Sequence, residues 1–258
     1  MVFLPRQLCR EYSWKIFRHS TLTKCTTRAS DLTVSLQIFS DGANVWTISS
    51  LNHEAYDNII EPMLKLTSAN VRHNNDLLTF EKPLITSLTY EQLLAENYSS
   101  GKNADNSCVP EFITPTAFKS SGSYVILPSL RLIFLSLARR FDIFYGIDDN
   151  DYESLAEEIE RSITVSDYKL SGASFSLEGI RLPSFTGNIK IRIKGDEQFI
   201  SYIRMLCRIA EFSGIGIKTA IGMGQVILIP HQPAEKFVRY RSVTLRWLTL
   251  KGVRTVLD

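Results

Sequence analysis

Hydrophobic positions along the first hundred residues switch between a period of two and a helical period. Residues 4–18 place apolar side chains at helical spacing with arginines between them, which predicts an amphipathic helix with one basic face. Residues 32–39 and 45–49 alternate apolar and polar positions around an Asp-Gly pair, which predicts two strands joined by a turn. Three further elements follow: a helix that Asn52 would cap, a strand and a short helix, at 52–64, 77–80 and 90–96.

A polar segment at 97–107 separates this pattern from a second one and is the predicted linker. The second pattern contains strands, helices and one tight turn, at 111–118 (strand), 121–123 (turn), 130–141 (helix), 162–177 and 188–193 (strands), 197–212 (helix) and 225–229 (strand). The two patterns together predict an α+β protein built of two tandem ferredoxin-like halves, with antiparallel sheets and helices on one face. The predicted boundaries are 1–109, 110–230 and a basic extension at 231–258.

Composition places few limits on function. The formal net charge is only +2, so the overall charge does not indicate a polyanionic partner, although both ends of the chain are locally basic. The four cysteines form no CxxC pair, which argues against a zinc site or a redox motif and favours reduced thiols in the cytoplasm. No segment is long and apolar enough to predict a membrane span or a signal peptide.

The sharpest feature is a glycine-rich segment between the last predicted helix and the last predicted strand, which we call the glycine-rich loop (residues 214–224). Exposed backbone amides beside a lysine and a threonine would cradle phosphate groups, which makes this loop a candidate phosphate-binding site through Gly214, Gly216, Lys218, Thr219, Gly222 and Gly224. Ile217 stands where a P-loop needs glycine, and the order helix, loop, strand is the reverse of nucleotide-binding motifs. The alternative is a tight helix-to-strand connection without a ligand.

Basic residues on the predicted strands and helices of the second half are further candidates for contact with a phosphate backbone. Alternation places Lys190, Arg192 and Lys194 on one face of a strand. Arg131 lies on the predicted helix, and Arg181 lies near the predicted hairpin. The alternative for all of them is an ordinary solvated surface.

At this point the residues resemble a known family. The pattern Gly-hydrophobe-Gly-x-Lys-Thr-x-x-Gly-x-Gly followed by a strand is similar to the C-terminal motif of the CRISPR-associated RAMP endoribonucleases. A second block, at 112–119, 122–124 and 127–131, is similar to the segment that opens the second half of these enzymes, notably in versions associated with type III systems, and it contains Lys119. Residues 185–187 are a third, weaker match. The resemblance implies a metal-independent endoribonuclease without a cofactor, which matures precursor guide RNA by cutting CRISPR repeat RNA. Lys119 then joins the expected RNA contacts, and a CRISPR effector complex becomes an expected partner.

The same resemblance implies a catalytic site in the first half. A histidine that closes the first helix and a lysine shortly after it carry over to His19 as general base and Lys24 as the charge-stabilising cation. Arg18, Cys25 and Thr26 depart from the family pattern around them. These departures leave open a second interpretation, a guide-RNA-binding subunit that does not cut, with His19 as a surface histidine. His53, His73 and His231 are expected to be solvated, and no pair has zinc-ligand spacing.

The resemblance also raises a question about the first sheet. Relatives open with a strand before the first helix, whereas this chain begins almost at the predicted helix. An open sheet edge would invite association, so a homodimer is one expectation. The alternating segment at 243–250 is another source for the strand, and we predict that it completes the first sheet.

Overall fold

A computed structural model describes residues 32–38, 44–52, 55–71, 76–81, 83–85, 87–98, 106–145, 151–177, 179–229 and 242–248. It contains two α+β units with antiparallel sheets, one built mainly from the first hundred residues and one from residues 106–229. The helix predicted at 4–18 and the turn at Asp41–Gly42 lie outside the described residues.

The first sheet has the strand order β1-β2-β13-β4-β3, with the short β5 paired to β13. All of its pairings are antiparallel. Its elements are β1 (Leu32–Ile38), β2 (Asn44–Ser50), helix α1 (a π-helical turn Tyr56–Ile60 continued by Glu61–Leu64), β3 (Ser68–Val71), β4 (Asp76–Phe80), β5 (Leu84–Ile85) and β13 (Ser242–Leu248). The Asn52 side chain accepts a hydrogen bond from the Ala55 amide at 2.7 Å, which confirms it as the cap of α1.

The strand predicted near the end of the chain lies in the middle of this first sheet. β13 pairs with six residues of β2, from Ser242 opposite Ser49 to Trp247 opposite Asn44, and its far side pairs with β4 and β5. The placement confirms that a segment from the end of the chain completes the first sheet. The strand ends two residues earlier than the predicted 243–250.

The second sheet has the order β10-β11-β7-β12, with β6 paired to β11 and a separate hairpin formed by β8 and β9. Its strands are β6 (Ser107–Cys108), β7 (Pro110–Thr116), β8 (Phe118–Ser120), β9 (Ser123–Val125), β10 (Ile163–Leu177), β11 (Ile180–Ile193) and β12 (Val226–Leu228). Its helices are α3 (Leu130–Tyr145), α4 (Tyr152–Ser162) and α5 (Glu197–Ser213). The predicted turn at 121–123 is the tight connection between β8 and β9, where Ser121 and Gly122 both have positive φ.

One face of the second sheet is covered by helices. Ile189, Ile191 and Ile193 alternate along β11 and are fully buried, in the same apolar cluster as Phe134 and Leu137 of α3. Lys190 and Arg192 alternate with these isoleucines and therefore point to the opposite face of the sheet, which we call the open face because Arg192 is exposed there.

Two expectations about the elements are wrong. Helix α4 was not predicted, although the Asp151 side chain caps its first turn by accepting from the amides of Glu153 and Ser154. The linker predicted at 97–107 is wrong at both ends, because helix α2 (Tyr90–Tyr98) continues to Tyr98 and Ser107 already belongs to β6. Helix α2 packs against α5, with Leu93 buried in the core of the second half.

The described pairings cross the predicted boundaries. β6, which lies before residue 110, pairs in the second sheet, and β13, which lies after residue 230, pairs in the first. The boundaries at 109 and 230 stay a prediction about how the chain divides into folding units.

Candidate nucleic-acid interface

The glycine-rich loop connects the end of α5 to β12 and is fastened along β7. The amides of Ile217 and Gly224 donate to the carbonyls of Ala117 and Pro115, each at 3.0 Å. At the exit of the loop, the Gln225 amide donates to the Thr114 hydroxyl at 2.9 Å. The loop is therefore a fixed part of the second half, with the order helix, loop, strand that the sequence predicted.

Close packing explains the glycines of this loop. Gly216 has φ +89°, and a Cβ atom there would lie 2.4 Å from the Ala117 carbonyl oxygen. Gly224 has φ +70°, and a Cβ atom there would lie 2.1 Å from the Ile215 carbonyl oxygen. Any side chain at these positions would collide with protein backbone in a conformation that L residues rarely adopt. The sequence interpretation as a tight helix-to-strand connection is thus sufficient for these glycines, whether or not the loop also binds a ligand.

Lys218 is the exposed residue at the tip of the loop. It has left-handed backbone angles (φ 59°, ψ 31°) and precedes a single 3-10 turn, Thr219–Ile221. Its carbonyl accepts from the amides of Ile221 and Met223, at 3.1 and 3.3 Å. No carboxylate among the described residues lies within ion-pair distance of the Lys218 ammonium group.

The neighbours of Lys218 contribute mainly backbone. The Thr219 side chain is buried, with its γ-methyl group against Gly214 and Gly224. Within the described part of the chain, the amides of Gly216, Lys218, Thr219 and Ala220 have no acceptor. The 3-10 turn also lies against β1, so the loop stands where the two halves meet.

Arg140 of α3 holds the loop from the helical side. Its Nη1 donates to the carbonyl oxygen of Ser213 and, at 3.1 Å, to that of Gly214, while Nη2 donates to the Gly216 carbonyl at 3.3 Å. Burial lowers the pKa of this guanidinium from its ordinary value, which lies so far above neutrality that the group stays charged. Sequence reasoning did not single out Arg140 as a site residue.

Two of the predicted basic strand residues lie on the open face of the second sheet. Lys190 and Arg192 alternate with the buried isoleucines of β11, and Lys194 follows the end of the strand as an exposed residue. Asp167 stands opposite Lys190 in the register with β10. None of the three cations forms an ion pair with a carboxylate among the residues that the structure describes.

The other predicted contacts are scattered. Arg131 lies on the helical layer and forms ion pairs with Glu153 at 2.9 Å and Glu160 at 3.3 Å. The hydrogen bond to Glu153 is the largest of the effects that raise the pKa of Arg131. The Arg181 Nε donates to the Ser174 hydroxyl at 2.9 Å near the tip of the β10–β11 hairpin.

Lys119 belongs to the β8–β9 hairpin. It is exposed on β8, opposite the half-exposed Tyr124 of β9. It stands two residues after Ala117, whose carbonyl binds the glycine-rich loop. The structure therefore brings Lys119 and Lys218 to one region of the second half, while Arg131 and Arg181 lie elsewhere.

The predicted catalytic residues His19 and Lys24 lie outside the described residues, and so do the remaining histidines His53, His73 and His231. Their proposed roles stay predictions. In the described ranges there is no group of three or more His, Cys, Asp and Glu side chains that would hold a metal ion. None of the helices in the same ranges has the length and apolar character needed to cross a membrane.

Comparison with known proteins relates the chain to one family. A family model described as "CRISPR-associated endoribonuclease Cas6" matches residues 111–226, the segment from β7 to β12 that includes the glycine-rich loop. The CRISPR-associated endoribonuclease Cas6 of Mycobacterium tuberculosis is 34% identical over 196 residues, which cover 75% of this chain and 61% of that protein. The Cas6 of Streptococcus thermophilus is 32% identical over 185 residues, which cover 71% of this chain and 74% of that protein. The match thus spans about three fifths of the length of the Mycobacterium relative.

Solved structures agree on the fold. A Cas6 product complex superposes with a TM-score of 0.69 at 20% identity, covering 88% of this chain and 94% of that chain. Thermus thermophilus Cas6 superposes with a TM-score of 0.62 at 19% identity, covering 89% and 93%. These likenesses concern the fold alone, and they confirm the predicted α+β, ferredoxin-like architecture.

Proposed function

Because the chain belongs to the Cas6 family of CRISPR-associated endoribonucleases, we propose that it cuts CRISPR repeat RNA within precursor guide RNA. The observation on which this rests most is the family match over residues 111–226, which includes the glycine-rich loop, together with 32–34% identity to endoribonucleases over more than two thirds of the chain. Binding to repeat RNA is supported by related structures named as product and substrate-mimic complexes.

The proposed chemistry needs no metal ion. A general base removes the proton of a 2′-hydroxyl, whose oxygen attacks the adjacent phosphorus and expels the 5′-oxygen of the next nucleotide. The 5′-oxygen takes up a proton from the protonated base or from water as it leaves. The products are a 2′,3′-cyclic phosphate or 3′-phosphate end and a 5′-hydroxyl end. A nucleophile tethered beside its target supplies much of the rate through proximity, and a nearby cation stabilises the charge that develops on the phosphate.

His19 and Lys24 are the residues we propose for these two roles. An unperturbed histidine titrates near pH 6.5, so its neutral form accepts a proton at physiological pH. Their assignment is supported by the family pattern around the end of the first helix.

We propose as RNA contacts chiefly those cations that form no ion pair with a carboxylate among the described residues. Lys218 at the tip of the loop and Lys119 on the neighbouring hairpin form one proposed contact region. Lys190 and Arg192 on the open sheet face form a second region together with Lys194 just past the end of β11, and alternate side chains there can follow a phosphate backbone. Arg131 is the weakest of the proposed contacts, because Glu153 and Glu160 already neutralise it.

A second function is a guide-RNA subunit that binds without cutting. It is favoured by the departures at Arg18, Cys25 and Thr26, which change the surroundings of the proposed base. A type III association, a place in a CRISPR effector complex, a homodimer and a cytoplasmic location are further proposals. A structure with a similar fold is named as a Cas6-RT-Cas1–Cas2 complex, which supports a place in a larger assembly without saying which kind.

The deciding experiment uses end-labelled transcripts of the CRISPR repeats that lie in the same genome. We expect one cut per repeat, unchanged by EDTA and abolished when the nucleotide before the cut carries 2′-deoxyribose. His19→Ala should abolish cutting while RNA binding persists, and His73→Ala serves as the matched control. Binding without cutting by the unaltered protein would establish the subunit instead, and cutting that stops in EDTA would exclude the metal-free mechanism.

A further inference from the structure

We propose that Arg140 is a positioning residue for RNA binding, which fixes the glycine-rich loop in the shape that presents Lys218. The inference rests on the proposed function, since it concerns the same loop. The Arg140 guanidinium donates hydrogen bonds to the backbone carbonyls of Ser213, Gly214 and Gly216.

The three carbonyls belong to residues that leave the last turn of α5. The final carbonyls of an α-helix have no partner within the helix, and they carry its partial negative charge. Arg140 neutralises this end of α5 with donors that reach Ser213, Gly214 and Gly216 together. The planar fork of arginine can bind carbonyls in several directions at once, whereas a lysine offers only a compact point charge.

The partners of Arg140 in the described part of the chain are carbonyl groups rather than a carboxylate. No carboxylate among the described residues pairs with it, whereas Arg131 on the same helix has two. A charge removed from water without a counterion is retained at a cost unless it is fully hydrogen-bonded. The carbonyls of Ser213, Gly214 and Gly216 accept hydrogen bonds from both terminal nitrogens of Arg140 and offset part of this cost, which couples the conformation of the loop to this one side chain.

Only Ile217 separates Gly216, which Arg140 contacts, from Lys218. Gly216 is held from one side by Arg140 and is followed by Ile217, whose amide is held from the other side by the Ala117 carbonyl. Lys218 comes next, exposed and in a left-handed conformation that a free chain rarely adopts. Loss of the contact to Gly216 would let this strained tip relax, so that the ammonium group no longer faces the RNA.

The test measures binding of repeat RNA with 2′-deoxyribose at the cut site, by filter binding at several salt concentrations. The variants are Arg140→Gln, Arg140→Lys, Lys218→Gln and the double variant Arg140→Gln/Lys218→Gln. Arg139→Gln is the matched control, since Arg139 neighbours Arg140 but is exposed and lies over the Tyr152 ring. Stoichiometric titration gives the RNA-competent fraction of each preparation, so that a partly unfolded sample is not mistaken for weak binding.

We expect Arg140→Gln to raise Kd on the order of tenfold at full competent fraction, and Arg139→Gln to leave it unchanged. The double variant should be scarcely weaker than Lys218→Gln alone, because both changes remove the same contact. Lys218→Gln should reduce the slope of log K against log salt concentration by about 0.7 for each phosphate contact that is lost. Arg140→Gln should reduce this slope by less, in proportion to the share of molecules in which Lys218 no longer reaches the phosphate. In single-turnover cutting at saturating protein, Arg140→Gln should keep the rate while the half-saturating concentration rises.

Arg140→Lys keeps the positive charge and removes the planar guanidinium, so it serves as a second variant if Arg140→Gln fails to fold. We expect its Kd to lie between those of the unaltered protein and Arg140→Gln. Additive effects of Arg140→Gln and Lys218→Gln, or an unchanged Kd in both Arg140 variants, would overturn the proposal. Failure of the unaltered protein to bind repeat RNA would instead overturn the proposed function, so the two failures are distinguishable.

Discussion

Removal of the strand β13 should unfold the first sheet. Deleting residues 231–258 takes away a strand that pairs with six residues of β2 and with two residues each of β4 and β5. An antiparallel ladder provides about one hydrogen bond per paired residue, so on the order of ten are lost. At about 1 kcal/mol net for each, the loss is about 10 kcal/mol, which equals the whole stability of a typical domain.

The assay is thermal unfolding followed by circular dichroism, with limited proteolysis to locate the unfolded part. We expect the deletion to remove one transition and to open residues 32–85 to protease. Deleting only 251–258, which leaves β13 in place, is the matched control and should change little. Leu245→Pro, in the middle of β13, should reproduce the full deletion because proline is excluded from central strands. A deletion protein that melts like the unaltered one would refute the placement of β13 as a structural strand.

Three further predictions concern single side chains. Gly216→Ala should lower the free energy of unfolding by more than the about 1–3 kcal/mol that a left-handed residue costs, because its Cβ would also collide with the Ala117 carbonyl. The measurement is urea unfolding, and the control is Gly172→Ala, whose Cβ would meet no atom within 4 Å. The Cys207 thiol should not react with iodoacetamide at pH 8 until the protein is unfolded, and mass spectrometry measures the reaction. The hydrogen bond with Cys108 and the burial of Cys207 raise the pKa of this thiol and keep it protonated. Arg192→Gln should lower the salt dependence of RNA binding more than Arg131→Gln does, and the reverse order would contradict the assignment of the open sheet face.

Local patterns predicted most of the fold because each of those elements has its own apolar period. The helix at 197–212 and the strand at 243–250 were both placed within two residues of their observed ends. Helix α4 was missed because its apolar side is narrow: Ala156 and Ile159 are its buried nonpolar residues, and most of the rest is acidic or polar. The cap at Asp151 was the signal that would have found it.

The site was harder to predict because its contacts join distant parts of the chain. Arg140 and Arg139 are adjacent in sequence, and nothing local shows that one binds the carbonyl of Ser213, 73 residues away, while the other lies over an aromatic ring. Helical spacing gives a partial signal, since Arg140 follows Leu137 by three residues and borders the buried stripe. The partners of Arg140 are backbone carbonyls, which every residue has, so the pattern of side chains in the sequence does not reveal them.

The positions of β13 and of the glycine-rich loop suggest that RNA binding and RNA cutting depend on different parts of the chain. β13 pairs with β2, β4 and β5, all in the first sheet, whereas the loop is fastened to β7 and Arg140 in the second half. The proposed base, His19, precedes β1, which lies beside the 3-10 turn of the loop. Deleting 231–258 should therefore abolish cutting yet leave residual RNA binding that Lys218→Gln weakens further.

Both readouts come from one gel and one filter assay on the same truncated protein. Retained cutting would mean that the first sheet does not hold the catalytic base. Loss of all binding, with the second half still resistant to protease, would mean that the loop alone does not hold RNA and that the first half supplies the dominant contacts. Only the combination of lost cutting with residual binding that depends on Lys218 agrees with a cradle in one half and a base in the other.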